Sequence, residues 1–162
     1  YAETHIKNVV SNFLPSVLNY LNVNFENTNQ IVAGASMGGL MSIKTSILFP
    51  QFRNIISLSP AFWFGYPSVL HDIKNLSNES STYLYTGKKE GHIFGDHVKN
   101  IFPNNWDLDF SNNDDFYYSG VKNIKDSFDS NNKKVIFSFQ ENGRHNEISW
   151  ATAIFEILGK LI

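Results

Sequence analysis

The first 21 residues carry apolar side chains at helical spacing. They recur three or four positions apart, at Ile6, Val9, Val10, Phe13, Leu14, Val17, Leu18 and Leu21. This spacing predicts an amphipathic helix that covers a sheet. Pro15 lies inside the pattern, and its ring removes the backbone hydrogen bond to Ser11, so we expect a kink or a restart there. A polar turn is expected over residues 24–29.

Four short apolar runs farther along predict buried strands. They lie at 30–33, 54–58, 82–86 and 134–140. Helical patterns alternate with them, from Met37 to the stop at Pro50, near 68–75, at 121–128 and from Ile148 to Ile162. This alternation predicts parallel pairing through right-handed crossovers. Because the strands are almost continuously apolar, both faces of the sheet should be covered. We expect one α/β domain over residues 1–162.

The composition of the chain excludes several classes of partner and of catalytic chemistry. The 162 residues are 42% hydrophobic and 15% aromatic, which suits one domain with a substantial core. The formal net charge is −2 and there is no basic run, so neither nucleic acid nor a membrane is expected as a partner. The absence of cysteine excludes disulfides, thiolate metal sites and a cysteine nucleophile. We expect a cytoplasmic protein, because neither a signal-peptide pattern nor an apolar stretch of transmembrane length occurs.

The sequence Gly34-Ala35-Ser36-Met37-Gly38 has the form G-x-S-x-G and lies between a predicted strand and a predicted helix. This is the setting in which such a turn becomes a nucleophile elbow. Small residues at 34 and 38 should let the backbone turn sharply and hold the serine in a strained conformation with its Oγ exposed. We therefore predict Ser36 as a nucleophile. The backbone N–H of Met37 is predicted to donate to an oxyanion at the helix N-terminus.

A serine nucleophile needs a general base, and His145 is the best-placed histidine. It follows the last predicted strand and precedes the last predicted helix, at the sheet edge where catalytic residues gather. His97 is an alternative without that placement, whereas His5, His71 and His92 are expected at the surface. No two histidines have metal-binding spacing, so we expect no metal site.

The third catalytic residue is an acid that orients the imidazole. The chain order of Ser, acid and His predicts that the acid follows the third strand, which indicates Glu90. Asp96 is the alternative, and an ordinary exposed charged turn at 88–90 is the other explanation of this segment. Glu141 follows the fourth strand but lies too near His145 in the sequence.

Four motifs occur in order along the chain. They are residues 34–40, residues 59–63, residues 87–91, and His145-Asn146-Glu147 followed by Trp150. Together they resemble the esterase D-like branch of the α/β-hydrolases, which includes enterochelin-esterase-like and feruloyl-esterase-like proteins. The resemblance spans nearly the whole chain. It implies the α/β-hydrolase fold, with a mostly parallel sheet and flanking helices.

The resemblance also implies roles for individual residues. Ser36 would be the nucleophile, Glu90 the acid and His145 the base, in agreement with the assignments from the motifs. Phe62 and Trp63 would wall the acyl or alcohol pocket. The implied activity is that of a serine esterase, which cleaves a small-molecule carboxylic ester through an acyl-enzyme and needs no cofactor.

The family has further strands before the first helix of this chain, and its second oxyanion amide lies among them. We therefore expect the chain to be the C-terminal half of a longer hydrolase that supplies the second donor. A sheet ending at 30–33 would leave unpaired backbone groups, which proteins rarely tolerate. Two other functions stay open. One is an acyltransferase of the same fold, and the other is a non-catalytic hydrolase-like module or truncated remnant.

Overall fold

The fold is a parallel β-sheet with helices on both faces. The computed structural model describes residues 2–24, 30–101, 108 and 110–161, so the predicted turn at 24–29 lies almost entirely outside it. Within these residues the sheet has four strands, β1 (Ile31–Ala35), β2 (Asn54–Leu58), β3 (Ser81–Gly87) and β4 (Lys134–Gln140). They pair in parallel in the order β1-β2-β3-β4. This arrangement confirms the predicted α/β architecture, and the strand bounds agree to within two residues.

Helices precede, connect and follow the strands. The described α-helices are α1 (Ala2–Asn8), α2 (Leu14–Tyr20), α3 (Met37–Leu48), α4 (Ser68–Asp72), α5 (Val98–Ile101), α6 (Asn113–Ser130) and α7 (Glu147–Leu161). Short 3₁₀ turns lie at Phe62–Phe64, Ile73–Asn75 and Gly91–Phe94. The helices predicted after the nucleophile strand, near 68–75 and at the end of the chain are thus present.

Two apolar clusters cover the two faces of the sheet. Successive strand residues point to opposite faces, so Ile55 and Ile56 of β2 belong to different clusters. The first cluster joins the sheet to α3, α4 and α6, and includes Leu40, Ile43, Ile55, Leu84, Val121 and Ile124. The second joins it to α7, and includes Ile56, Leu58, Tyr83, Tyr85, Ala153 and Ile157. The prediction of a sheet buried on both faces is confirmed for β2 and β3.

A π-helical turn interrupts the first helical segment just before Pro15. A π-helical turn at Val9–Phe13 joins α1 to α2, and Leu14 N donates to Val9 O across this wider turn. A new α-helix, α2, begins at Leu14 with Pro15 in its first turn, where a missing N–H costs no helical hydrogen bond. This is the restart predicted at Pro15. Ile6 is the only residue of these helices that is fully buried among those described, and Phe13 is 66% exposed. α1 packs against α3.

An apolar groove of about 760 Å³ lies beside the first helices. Its lining comes from α1, α2 and the π turn on one side, and from Val32 and Ala33 of β1 with Met41 of α3 on the other. β1 is an edge strand of the sheet as described, and Ile31 is an exposed apolar residue on it. None of the described helices is both long and apolar enough to cross a membrane.

α6 is ten residues longer than the eight-residue helix predicted at 121–128. It begins at Asn113 with Asn112 as its N-cap, and the Asn112 side chain accepts a hydrogen bond from Asp115 N at 2.9 Å. Asp114 and Asp115 stabilise this first turn because acidic side chains are favourable at the positive end of a helix. The sequence signal for this start is an asparagine cap, Asn112, with two acidic residues in the first helical turn. The added turns matter because they carry residues that contact the candidate site.

Candidate active site

Ser36 lies in the tight turn between β1 and α3, in an unusual backbone conformation. Its φ is 56° and its ψ is −121°, a combination that costs a non-glycine residue about 1–3 kcal/mol. Its backbone is held there by hydrogen bonds to β2 and to the loop that follows β2. Ser36 N donates to Leu58 O at 2.9 Å, and Ala61 N donates to Ser36 O at 3.0 Å. The end of β2 and the following loop thus fix the predicted nucleophile.

Of the two glycines in this motif, Gly34 is the one at which a side chain would clash. A Cβ at Gly34 would lie 2.4 Å from the carbonyl oxygen of Gly38, so any side chain would force the turn apart. A Cβ at Gly38 would meet no atom within 4 Å. The steric contacts therefore support the prediction of a small residue at position 34. They do not support it at position 38, which contributes only its backbone carbonyl to the close contact with Gly34.

Met37 is the first residue of α3. The N–H groups of the first helical turn have no carbonyl partner within the helix, and they lie at the positive end of its dipole. The Met37 N–H therefore suits the predicted oxyanion contact. That role stays a prediction.

Glu90 is fully buried, three residues after the end of β3. Its Oε1 accepts hydrogen bonds from Ser59 Oγ at 2.7 Å and from Gly87 N, and its Oε2 lies 2.9 Å from His145 Nδ1. An ionised carboxylate can only accept hydrogen bonds, and three donors point at this one. The structure thus brings together the residues proposed as acid and base.

His145 lies in the loop between β4 and α7, with most of its ring buried. The ring packs edge-on against Trp150 at a centroid distance of 4.9 Å and lies 5.4 Å from the Tyr117 ring. Because Nδ1 faces the Glu90 carboxylate, a neutral ring carries its proton there and leaves Nε2 as an acceptor. Among the described residues no hydrogen bond joins His145 to Ser36 Oγ, a contact that often forms only when substrate is bound.

Close backbone contacts fix the acid loop against the histidine loop. A Cβ at Gly87 would lie 2.3 Å from Gly143 O, so only glycine permits this approach. Lys88 N donates to Gln140 O and Lys89 N donates to Gly143 O, both at 3.0 Å. These bonds extend the β3–β4 pairing past the strand ends and hold the two loops at a constant separation.

Ser59 connects further residues to Glu90. Its Oγ accepts a hydrogen bond from Trp150 Nε1 at 3.0 Å, and its carbonyl accepts one from the Tyr117 hydroxyl at 2.6 Å. Burial, together with the Glu90 charge, raises the pKa of Tyr117 well above its ordinary value, so this hydroxyl stays a donor at neutral pH. The same two causes raise the pKa of Tyr85 to about 12. Ser59 and Trp150 belong to the four motifs named above, but no role was predicted for either residue.

The alternative acids and bases lie elsewhere. Asp96 is exposed and accepts a hydrogen bond from His97 N at 2.6 Å, which lowers the pKa of its carboxyl. Glu141 is exposed and pairs with Lys88 at 2.9 Å. In the part of the chain that the structure describes, neither carboxylate contacts His145. The other four histidines are all exposed: His5, His71, His92 and His97.

The two aromatic residues predicted to wall a pocket have different environments. Phe62 is fully buried among other rings, including Phe116 at a centroid distance of 5.1 Å. Its ring therefore cannot touch a substrate unless the core opens. Trp63 is partly exposed and lies 5.3 Å from the Tyr117 ring, which itself contacts His145. Trp63 is thus the residue of the pair that fits a pocket wall.

A second, shallow cleft of about 490 Å³ lies beside the acid and histidine loops. Its lining includes both basic and acidic residues: Lys89, Arg144, Asp96 and Asp114. In the described ranges no group of three or more His, Asp or Glu side chains is arranged to hold a metal ion.

Comparison with known proteins finds similarity in structure only. No protein-family model matches the sequence, and no curated protein matches it. A ferulic acid esterase superposes with a TM-score of 0.66 at 11% identity, over 94% of this chain and 57% of that one. The siderophore hydrolase EstA from Aspergillus nidulans gives 0.66 at 15% identity, over 98% and 57%. The enterobactin esterase of Shigella flexneri gives 0.62 at 17% identity, over 91% and 34%.

These similarities show that the chain has the α/β-hydrolase-like fold of these esterases and hydrolases, which confirms the fold implied by the motifs. The chain spans from about a third to somewhat over half the length of these structures.

Proposed function

We propose that this protein is a serine esterase that hydrolyses a small-molecule carboxylic ester. The observation that carries the proposal is the buried Glu90–His145 pair, which lies at the same sheet edge as the strained Ser36 turn. All three residues follow the carboxyl ends of parallel strands, where such sites form. A well-packed apolar pair would stabilise the fold at least as well as a buried carboxylate with a histidine partner. Catalysis therefore explains this pair better than stability does.

In the proposed reaction Ser36 Oγ attacks the ester carbonyl while His145 Nε2 takes its proton. Glu90 stabilises the imidazolium that forms, and Met37 N–H donates to the oxyanion. The tetrahedral intermediate collapses, and the alcohol leaves with the proton from His145. Water then attacks the acyl-enzyme with His145 as base, which releases the acid and restores Ser36. A second oxyanion donor, expected from outside these 162 residues, is part of the proposal.

The names of the similar structures support an ester as the substrate, since all three are described as esterases or hydrolases. The partly exposed Trp63, joined to His145 through Tyr117, suits an apolar or aromatic group on that ester. A series of p-nitrophenyl esters with acyl chains of increasing length tests the proposal. We expect saturable release of p-nitrophenol from the full-length protein, which supplies both oxyanion donors, and no release above the buffer rate with any ester would refute the proposal.

Glu90→Gln should lower kcat by more than about tenfold, yet by less than the loss of Ser36 or His145. Glutamine keeps the shape of the side chain but removes the charge that stabilises the imidazolium. Asp96→Asn is the matched control, and we expect it to leave kcat unchanged because its carboxylate bonds to its own turn. Steady-state kinetics of both variants decide the assignment. A damaged Asp96→Asn beside an unaffected Glu90→Gln would transfer the role to Asp96.

A further inference from the structure

Every polar group of Ser59 is engaged in a hydrogen bond within the site. Its N–H donates to Tyr85 O at 2.7 Å, and its carbonyl accepts from the Tyr117 hydroxyl. Its Oγ bonds to both Glu90 and Trp150. The residue follows β2 directly, between the strand that leads to Ser36 and the strand that leads to Glu90. Ser59 therefore links β3, α6 and α7 around Glu90 through its bonds to Tyr85, Tyr117 and Trp150.

The chemistry of these groups fixes the direction of each bond. An indole N–H can only donate, so Ser59 Oγ must accept from Trp150. The single hydroxyl proton of Ser59 is then directed to Glu90 Oε1. A chain of donors thus runs from Trp150 through Ser59 to Glu90 and ends at the carboxylate that holds His145 Nδ1. Each hydrogen bond polarises the next, so the bond from Trp150 to Ser59 strengthens the bond from Ser59 to Glu90.

The backbone of Ser59 is strained, which points to a purpose for its placement. Its φ is 42°, in the left-handed region that non-glycine residues rarely adopt. Such conformations persist where surrounding contacts over-determine them, and they concentrate at functional sites. Glycine would relieve the strain but would lose the hydroxyl. The presence of serine at this position is therefore best explained by the bond to Glu90.

We propose that Ser59, supported by Trp150, is a positioning residue that holds Glu90 in the orientation required to align His145. This role rests on the proposed function for its effect on turnover, but the alignment itself can be observed without activity. Ser59 touches neither the substrate nor the reacting atoms in this scheme. Its loss should let the Glu90 carboxylate rotate, and His145 would then spend less time aligned with Ser36.

Two variants separate the hydroxyl from the backbone strain. Ser59→Ala and Ser59→Gly both remove the hydroxyl, and only glycine relieves the positive φ. We expect both to lower kcat by roughly 10- to 100-fold with KM unchanged, the size expected for losing one hydrogen bond to a buried charge. Ser46→Ala is the matched control. Ser46 is also fully buried and donates to a backbone carbonyl, that of Phe52, far along α3.

Trp150→Phe tests the upstream part of the chain. Phenylalanine keeps an aromatic ring beside His145 but has no N–H to donate to Ser59. We expect a smaller loss of kcat than for Ser59→Ala. The two changes should not add in the double variant, because the indole acts through a hydroxyl that is already absent. Fully additive losses would show that Trp150 does not act through Ser59.

The direct readout is the low-field proton NMR signal of His145 Nδ1–H, which reports its hydrogen bond to Glu90. We expect this signal to shift or broaden in Ser59→Ala and Ser59→Gly, and to stay unchanged in Ser46→Ala. An unshifted signal together with wild-type kcat in both Ser59 variants would overturn the proposal. If the wild-type protein shows no ester turnover, the proposed function fails, and the NMR comparison still decides whether Ser59 positions Glu90.

Discussion

Replacing Ser36 with alanine should lower kcat for a p-nitrophenyl ester by about four to six orders of magnitude. Alanine removes the only atom that the proposal allows to attack the carbonyl, so neither His145 nor Glu90 can act. The strained turn does not depend on the hydroxyl, because the Ser36 bonds to Leu58 and Ala61 use backbone atoms. We therefore expect the variant to fold normally and to retain substrate binding.

Ser46→Ala serves again as the control, because it removes a serine hydroxyl from α3, the helix that follows Ser36, without touching the site. Its kcat should equal that of the wild type. Circular dichroism of both variants checks the fold. If a folded Ser36→Ala protein kept more than a few per cent of the activity, the nucleophile would be another group and the mechanism would be wrong.

His145→Gln should cause a loss of similar size, because glutamine cannot take the proton from Ser36. Its amide can still donate to Glu90, so the buried carboxylate keeps a partner and the fold should survive. Catalytic groups that act as a unit give strongly non-additive losses. We therefore expect the Ser36→Ala, His145→Gln double variant to be no less active than Ser36→Ala alone, as measured by steady-state kinetics.

His97→Gln is the matched control for this prediction. His97 is exposed and its ring stacks on Phe110 at a centroid distance of 6.5 Å. We expect wild-type kcat for this variant. The assignment of the base would be contradicted if His97→Gln lost its activity while His145→Gln retained it.

The parts of the fold that were predictable from sequence are those that local patterns determine. β2 and β4 are short apolar runs bounded by turn residues, and their bounds match the prediction. The Ser36 turn was predictable because glycine spacing, a strand and a helix coincide there. Chain order and strand placement predicted that Glu90 would meet His145, with Asp96 as the alternative acid, since parallel strands bring their carboxyl ends to one edge of the sheet.

The features that escaped prediction depend on contacts between distant segments. Ser59 and Trp150 are 91 residues apart, and no local pattern reveals that their side chains meet. The burial of Phe62 depends on α6, whose Gly120 leaves room for its ring. The start of α6 lies in a stretch of aromatic, Asn and Asp residues without clear periodicity. Propensity is a weak guide there, because packing rather than sequence pattern stabilises those turns.

Covalent labelling tests the central claim most directly. A fluorophosphonate reacts with a serine that a neighbouring base activates, and it stays attached as a stable adduct. We expect one equivalent to add to the wild-type protein, with peptide mass spectrometry locating the adduct on Ser36. Ser36→Ala should take up no label, and Ser59→Ala should react more slowly at the same position. Absence of labelling in the wild type, or an adduct on any other residue, would contradict the account.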